Sequence, residues 1–303
     1  MNKNYKSGFV ALIGRLNVGK STFVNQVLGK KISIISNKPQ TTRNRIQGIY
    51  TTENEQIIFI DTPGIHKPHH QLGEFMNKES LSTLTDVDMI LLIVDGTMPF
   101  GTGDQFIIEQ LKKVETPVYL VVNKIDLIKD KNRLFENILK FKESYDFAEV
   151  YYIIALNFDN VDKLLSSMVD NLEVGPQYYP EDQISDHPEG FVIGEIIREK
   201  VLQLTKEEVP HSVAVVIESM KPSDDHEDLT EIQATIYVER QSQKKIIIGK
   251  NGKMIKDIGT LARKEIVMLL GQKIYLELWV KVEEDWRNKK SKLRTLGYFL
   301  ENN

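Results

Sequence analysis

Gly14-Arg15-Leu16-Asn17-Val18-Gly19-Lys20-Ser21 decides the first half of this chain. It reads Gly-x4-Gly-Lys-Ser, with the apolar run Val10-Ala11-Leu12-Ile13 before it and a helical pattern from Thr22 to Leu28 after it. A strand, a glycine-rich loop and a helix in that order make a cradle for a polyphosphate. The glycines let successive backbone N–H groups turn inward, and the helix start adds the positive end of its dipole. Gly14, Asn17, Val18, Gly19 and Thr22 line the expected cradle, Lys20 reaches the outer phosphates, and Ser21 offers a hydroxyl to Mg2+.

Two partners follow in order. Asp61-Thr62-Pro63-Gly64 comes after Gln56-Ile57-Ile58-Phe59-Ile60, a near-continuous apolar run that reads as a buried strand. Asp61 at that strand's end can hold the magnesium shell, and Gly64 can present an N–H to a terminal phosphate. Asn123-Lys124-Ile125-Asp126 follows a second buried-strand pattern, Val118 to Val122. Guanine carries N1–H and an N2 amino group on one edge, and one ionised carboxylate accepts from both. Adenine would leave Asp126 unpaired, and a buried unpaired acceptor costs roughly 1–3 kcal/mol. Asn123 can tie the loops together while the Lys124 stem covers a base face. Three such motifs, each at a strand end, point to a guanine-nucleotide-binding domain whose ligand is GTP or GDP with Mg2+.

The bulk properties set outer limits. The 303 residues are enough for about two domains, and 41% hydrophobic with 27% charged is an ordinary globular balance. No cysteine is present, which excludes a disulfide framework and thiolate metal sites. No run approaches the ~20 apolar residues of a membrane span. The start of the chain does not resemble a signal peptide, so the expected compartment is the cytoplasm. The net charge of −4 hides an asymmetry: residues 240–303 hold 15 Lys/Arg against 7 Asp/Glu, and residues 181–239 hold 4 against 15. A basic C-terminal end suits a polyanion surface, and it equally suits a solvated helical face.

Strands are expected at 9–13, 46–51, 56–60, 89–94, 117–122 and 149–154, and helices at 20–28, 71–84, 103–114, 131–144 and 160–172. This alternation predicts an α/β fold: a mostly parallel sheet with helices on both faces and the ligand at the strands' C-terminal ends. Gly175-Pro176-Gln177-Tyr178-Tyr179-Pro180 breaks the pattern. The expected division is a GTPase domain at 1–174, a linker at 175–187 and a second domain at 188–303.

That second domain reads as a helix from Phe191 to Leu204, strands at 212–217 and 232–238, and a long hairpin loop over 221–230 between them. A helix ending at Gly249 and another starting after Gly252 come next, then a strand at 271–280. Helix, strand, strand, helix, Gly-x-x-Gly, helix, strand is the order of an α+β type-2 KH domain. Glycines at 249 and 252 let a nucleic-acid backbone approach with no Cβ in the way, and the following helix start faces phosphates. The expected RNA-binding set is Lys244, Lys245, Ile248, Gly249, Lys250, Asn251, Gly252, Lys253 and Lys256. Trp286, Arg287, Lys289, Lys290, Lys292 and Arg294 extend that surface or form a solvated C-terminal helix.

Taken together, the phosphate loop, Gln40-Thr41-Thr42-Arg43, Asp61-Thr62-Pro63-Gly64, Asn123-Lys124-Ile125-Asp126, Tyr178-Tyr179-Pro180-Glu181-Asp182, Glu195-Ile196-Ile197-Arg198-Glu199-Lys200, Pro210-His211-Ser212 and Ile248-Gly249-Lys250-Asn251-Gly252 resemble the Era family over nearly the whole chain. The resemblance implies GTP hydrolysis, binding to the 3′ end of small-subunit ribosomal RNA and a role in assembling the small subunit. It also implies a monomer with some contact at the inner membrane surface. Mg2+ would be held by Ser21, by a switch threonine (Thr41 or Thr42, of which Thr42 is favoured) and by Asp61 through water. Lys20, Thr42, Asp61 and Gly64 form the expected catalytic set. Asn17 resembles the asparagine that binds K+ in related GTPases, so potassium stimulation is expected.

Several positions depart from the family's pattern. Ile154-Ala155-Leu156 stands where Ser-Ala-Leu or Ser-Ala-Lys is usual. Ala155 still has an N–H for guanine O6, with Leu156 beside it, but Ile154 provides no hydroxyl to support Asp126. Leu16 replaces a proline at small expected cost, and Asn251 takes a middle position of the Gly-x-x-Gly turn that tolerates side chains. Ile65 follows Asp-x-x-Gly where Ras-type enzymes carry a water-orienting glutamine, so slow intrinsic hydrolysis is expected. His66, His69 and His70 read as exposed loop residues. The competing function class is a signalling GTPase whose C-terminal domain docks a protein or an acidic membrane. As a test of the base loop, Ile154→Ser is expected to strengthen GDP affinity in a fluorescence titration; unchanged affinity would remove the assigned cost of Ile154.

Overall fold

Val10 to Ile13 are wholly buried, as are Ile57 to Phe59 and Ile90 to Leu91, so these runs form the interior of a sheet rather than a half-wet edge. The computed structural model describes residues 4–36, 38, 40–224 and 228–298. Its first unit holds a six-stranded sheet in the order β2-β3-β1-β4-β5-β6. The strands are β1 (Lys6–Ile13), β2 (Ile46–Thr51), β3 (Glu55–Asp61), β4 (Met89–Asp95), β5 (Val118–Asn123) and β6 (Glu149–Tyr152). All neighbours are parallel except β2, which pairs antiparallel with β3. Helices α1 (Lys20–Leu28), α2 (Gln71–Ser82), α3 (Thr102–Leu111), α4 (Lys131–Ser144) and α5 (Val161–Asn171) connect them. Strand order reverses on either side of β1, which leaves the crevice for a ligand at the C-terminal ends of β1, β3 and β5.

The expected elements agree with these within a few residues; β2 and α4 have the expected bounds, while the expected strand at 149–154 stops at Tyr152. Residues 153–160 leave the sheet because Ile154 forms an isolated bridge with Asp159. The stretch read as a linker lies along the first unit. Buried Gln56 receives the amide N–H groups of Tyr178 and Tyr179 at 2.8 and 3.0 Å and donates to the Tyr179 carbonyl at 3.0 Å. Gly48 bridges to Ser185, and the Gln47 amide donates to Asp186 at 3.0 Å.

The second unit takes in His187–Asn303 with two short stretches, Ile34–Thr41 and His70–Leu72. It is built from α6 (Glu189–Leu204), β7 (Ala214–Pro222), β8 (Leu229–Val238), α7 (Gln241–Ile248), α8 (Lys253–Leu270), β9 (Lys273–Val282) and a short α9 (Lys290–Thr295). β8 is central, antiparallel to β7 and parallel to β9. Ile193, Ile197 and Val201 of α6, Ile247 of α7 and Ile258 and Ile266 of α8 bury one face of this sheet against Ile232, Ala234 and Ile236. The expected long hairpin loop is shorter: Lys221 and Pro222 pair with Glu231 and Thr230, so the ladder runs further than the polar sequence suggests. Residues 225–227 of that loop lie outside the described ones. Cross-strand hydrogen bonds outrank local polarity here, as Ser223 Oγ bonding Glu231 at 2.8 Å illustrates.

One sequence reading is corrected. Trp286 is fully buried, donates from Nε1 to the Ser212 carbonyl at 3.0 Å and stacks on Tyr298 at 5.7 Å, so it forms core rather than RNA surface. Its indole is apolar enough to be buried, with its one donor satisfied. Trp286→Ala is expected to cost about 3–5 kcal/mol in chemical denaturation of the C-terminal unit; a loss under about 1 kcal/mol would contradict this packing.

Candidate functional site

The loop after β1 is shaped by left-handed backbone at Asn17 (φ 59°) and Gly19 (φ 105°). A Cβ at Gly19 would lie 2.2 Å from Asn123 Nδ2, and one at Gly14 would lie 2.3 Å from the Ile93 carbonyl oxygen. Glycine is therefore required at Gly19 by torsion and by space together, and at Gly14 by space alone. The loop closes around Lys20, whose ammonium lies 3.3 Å from the Gly14 carbonyl and 3.1 Å from the Arg15 carbonyl. Burial pulls the Lys20 pKa from 10.5 to about 8, with Asp61 opposing the fall.

Ser21, Thr42 and Asp61 meet beside it. Ser21 Oγ donates to Asp61 Oδ2 at 2.7 Å and lies 2.9 Å from Thr42 Oγ1. Asp61 Oδ1 is buried with no hydrogen-bond partner. Burial pushes the Asp61 carboxyl up, while Lys20 and the Ser21 hydroxyl hold it down. Two hydroxyls and a carboxylate with one orphaned buried oxygen form a hard-oxygen set that fits Mg2+. The structure brings Thr42, rather than Thr41, to this point, since the Thr41 hydroxyl donates to the Lys38 carbonyl at 2.6 Å. Gly64 sits against the loop, where a Cβ would lie 2.6 Å from Leu16 Cδ2. Ile65 is 4% exposed and packs in the apolar core, so it reaches no water. His66 is anchored, its Nδ1 at 2.9 Å from the Gly64 carbonyl.

Asn123 binds the base-side loops together. Its Nδ2 donates to the Val18 carbonyl at 2.9 Å, and its Oδ1 accepts from the amides of Lys124 at 2.8 Å and Ala155 at 3.0 Å. The Ala155 amide thus goes to Asn123 rather than standing open for guanine O6. Asp126 is exposed in a single 3-10 turn, Ile125–Leu127, and Leu156 beside Ala155 is exposed as well. Lys124 Nζ donates to the Asn17 carbonyl and to Asp95 Oδ2, both at 2.7 Å. Burial would raise the Asp95 pKa, but the bonds from Lys124 and Thr97 outweigh it and leave the carboxyl low. Sequence reasoning missed Asp95, although its place at the end of the apolar run 89–94 was a usable signal. It also missed Asp104, which caps α3 through the Gly101 amide at 2.9 Å and holds Arg15 at 3.2 Å.

In the second unit α7 ends at Gly249 (φ 73°), and Asn251 (φ 53°) and Gly252 (φ 74°) turn the chain into α8. Lys245, Lys250, Lys253 and Lys256 are exposed around this turn, whereas Lys244 and Ile248 are half-buried. Ile246, absent from the expected set, is 48% exposed and presents the apolar surface that Ile248 withholds. A Cβ at Gly249 would lie 2.7 Å from Met254 Cβ, while one at Gly252 meets nothing within 4 Å. Of the other C-terminal cations, Arg287 is paired with Glu239 at 2.6 Å and Lys292 with Glu283 at 3.2 Å.

Residues 9–124 match the family model described as 50S ribosome-binding GTPase, and residues 208–287 match the KH domain model. A crystal structure of Era in complex with MgGDPNP and nucleotides 1506–1542 of 16S ribosomal RNA is 42% identical over 98% of this chain and 100% of that one, with a TM-score of 0.94. The chain belongs to the Era family. A point variant of Aquifex aeolicus Era bound to GDP·AlF4− is 41% identical over 97% of this chain and 100% of that one, with a TM-score of 0.93. No helix among the described residues is long and apolar enough to cross a membrane.

The Lys20 environment sets a pH dependence. A polyphosphate beside Nζ favours the ammonium, so above pH about 8 the free protein must take up a proton in order to bind. In the unliganded fold the cost of burying charged Lys20 is borne fully below pH about 8 and relieved as pH rises towards 10.5. GDP affinity without Mg2+ is expected to be flat below pH 8 and to fall by up to about tenfold per unit above it. Calorimetry in buffers of different ionisation enthalpy should show proton uptake at pH 9; none would exclude the lysine's part.

Proposed function

We propose that this protein is a GTP-hydrolysing switch that binds the 3′ end of small-subunit ribosomal RNA through its KH domain and assists assembly of the small ribosomal subunit. The observation that carries this is the match over nearly the full chain to an Era that was crystallised with MgGDPNP and a 16S ribosomal RNA fragment. The phosphate loop binds the nucleotide through Gly14, Asn17, Val18, Gly19, Lys20, Ser21 and Thr22, and Asp126 reads the guanine edge. Asn123, Lys124, Ala155 and Leu156 shape the base pocket. Ser21 and Thr42, with Asp61 through water, would hold Mg2+, which would neutralise charge on the phosphates. Thr42 would engage the metal only with the terminal phosphate present, and that dependence would be the switch. Lys20 stays charged against the phosphates, and Gly64 presents its amide to the outermost one. The buried Ile65 orients no water, so hydrolysis without a stimulating partner is slow. Asn17 favours K+ as the added positive charge.

Lys244, Lys245, Ile248, Gly249, Lys250, Asn251, Gly252, Lys253 and Lys256 form the RNA groove, and the protein works in the cytoplasm and in part at the inner membrane surface. Crosslinking to ribosomal RNA with GTP and with GDP tests the whole reading; contacts spread without preference along the RNA would defeat it. Gly252→Asp gives the sharper result, because its Cβ site is open and the left-handed backbone (φ 74°) is the one cost to the fold. It is expected to weaken RNA binding at least about tenfold and to flatten the salt dependence, while GTP turnover is kept. Unchanged RNA affinity would favour a signalling GTPase that docks a protein or a lipid.

A further inference from the structure

The buried run of β4 ends at Asp95, which stands in register with Asn123 at the end of parallel β5. The turn that follows fixes this carboxylate. Asp95 Oδ1 accepts the Thr97 amide at 2.9 Å and the Thr97 hydroxyl at 2.6 Å. The Met98 amide closes the turn on the Asp95 carbonyl at 3.0 Å. An Asp that bonds the backbone two residues on is held in one orientation. Its other oxygen, Oδ2, faces Lys124 Nζ at 2.7 Å. The Asp95 side chain is 12% exposed and that of Lys124 is 31% exposed, so water screens this pair less than it screens a pair on the open surface.

Lys124 is held at both ends. Its backbone is left-handed (φ 62°), and its amide donates to Asn123 Oδ1 at 2.8 Å. Its ammonium bonds the Asn17 carbonyl at 2.7 Å as well as Asp95. The four-carbon stem is therefore stretched between the base-side loop and the phosphate loop. A free lysine samples many rotamers, and ordering it at the moment of binding costs affinity; a lysine ordered beforehand does not incur that cost. The third loop adds little polar support, since Ile154 carries no hydroxyl and the Ala155 amide donates to Asn123 at 3.0 Å.

We infer that Asp95 is a positioning residue for nucleotide binding: by anchoring the Lys124 ammonium it keeps the lysine stem in place for the face of the guanine. This rests on the reading of Lys124 as a base contact. The base is common to GDP and GTP, so Asp95 acts on both alike and leaves the chemistry at the terminal phosphate unchanged.

The test measures GDP and GDPNP affinity and GTP turnover, all with Mg2+, in the full chain. The variants are Asp95→Ala, Asp95→Asn, Lys124→Met, which keeps the stem and removes the ammonium, and the double variant Asp95→Ala/Lys124→Met. Asp95→Ala is expected to weaken both nucleotides about tenfold, raising KM while kcat changes less than about twofold. Asp95→Asn keeps an oxygen for the ammonium and is expected to lose less; it replaces Asp95→Ala, alone and in the double variant, if that protein fails to fold. The double variant is expected to bind no more weakly than Lys124→Met, because both changes remove the same anchor. Additive losses would mean that Asp95 acts on the fold and not through Lys124, and would overturn the inference. A loss confined to one nucleotide, or no loss for Asp95→Ala beside a loss for Lys124→Met, overturns it too and leaves the base reading standing. If Lys124→Met binds GDP as tightly as the unaltered protein, the lysine is not a base contact, and the inference falls with that reading.

Discussion

One carboxamide holds the nucleotide face together. Asn123 donates to the phosphate loop at Val18 and accepts from Lys124 and Ala155, so three loops converge on a side chain that is 3% exposed. The Gly19 backbone lies so close to it that no Cβ fits between them. Remove that bond and a buried acceptor and donor lose their partners at once, at roughly 1–3 kcal/mol each. Lys124 reinforces the same junction by bridging Asn17 to Asp95. The phosphate loop and the base-side loops are therefore joined in one hydrogen-bonded body.

Around Lys20 and Asp61 the opposite economy holds. Both groups are fully enclosed, and burial acts against the charge on each. The unsatisfied Asp61 Oδ1 and the lowered lysine are the marks of a site completed by something charged on both sides, a cation and a polyphosphate. The Gly249–Gly252 turn shows a division on a smaller scale: a Cβ at Gly249 would collide with Met254, whereas one at Gly252 would meet nothing within 4 Å.

Much of this was legible in the chain. The runs 9–13, 57–60 and 89–94 are apolar without interruption because their strands are largely buried on both faces. Spacing alone placed Asp61 and Asn123 at strand ends and Lys20 and Ser21 at the start of the helix after the first strand's loop. Trp286 was misread because neighbouring lysines mark a surface helix, and charge cannot tell which single position turns inward. The hairpin between β7 and β8 was read too long because its polar residues are paired across strands, a fact that local composition does not carry.

The sequence by itself determined the two-domain order, the parallel sheet and the guanine-binding motifs, since each depends on local spacing and on periodic burial. Tertiary structure alone brought the Thr42 hydroxyl beside Ser21, tied the Ala155 amide to Asn123 and set Arg198 against the Thr41 carbonyl. These depend on which groups meet across sequence separations of 21 to 157. No pattern of neighbours encodes such a meeting; it is fixed by the packing of whole elements and by the demand that every buried polar group find a partner.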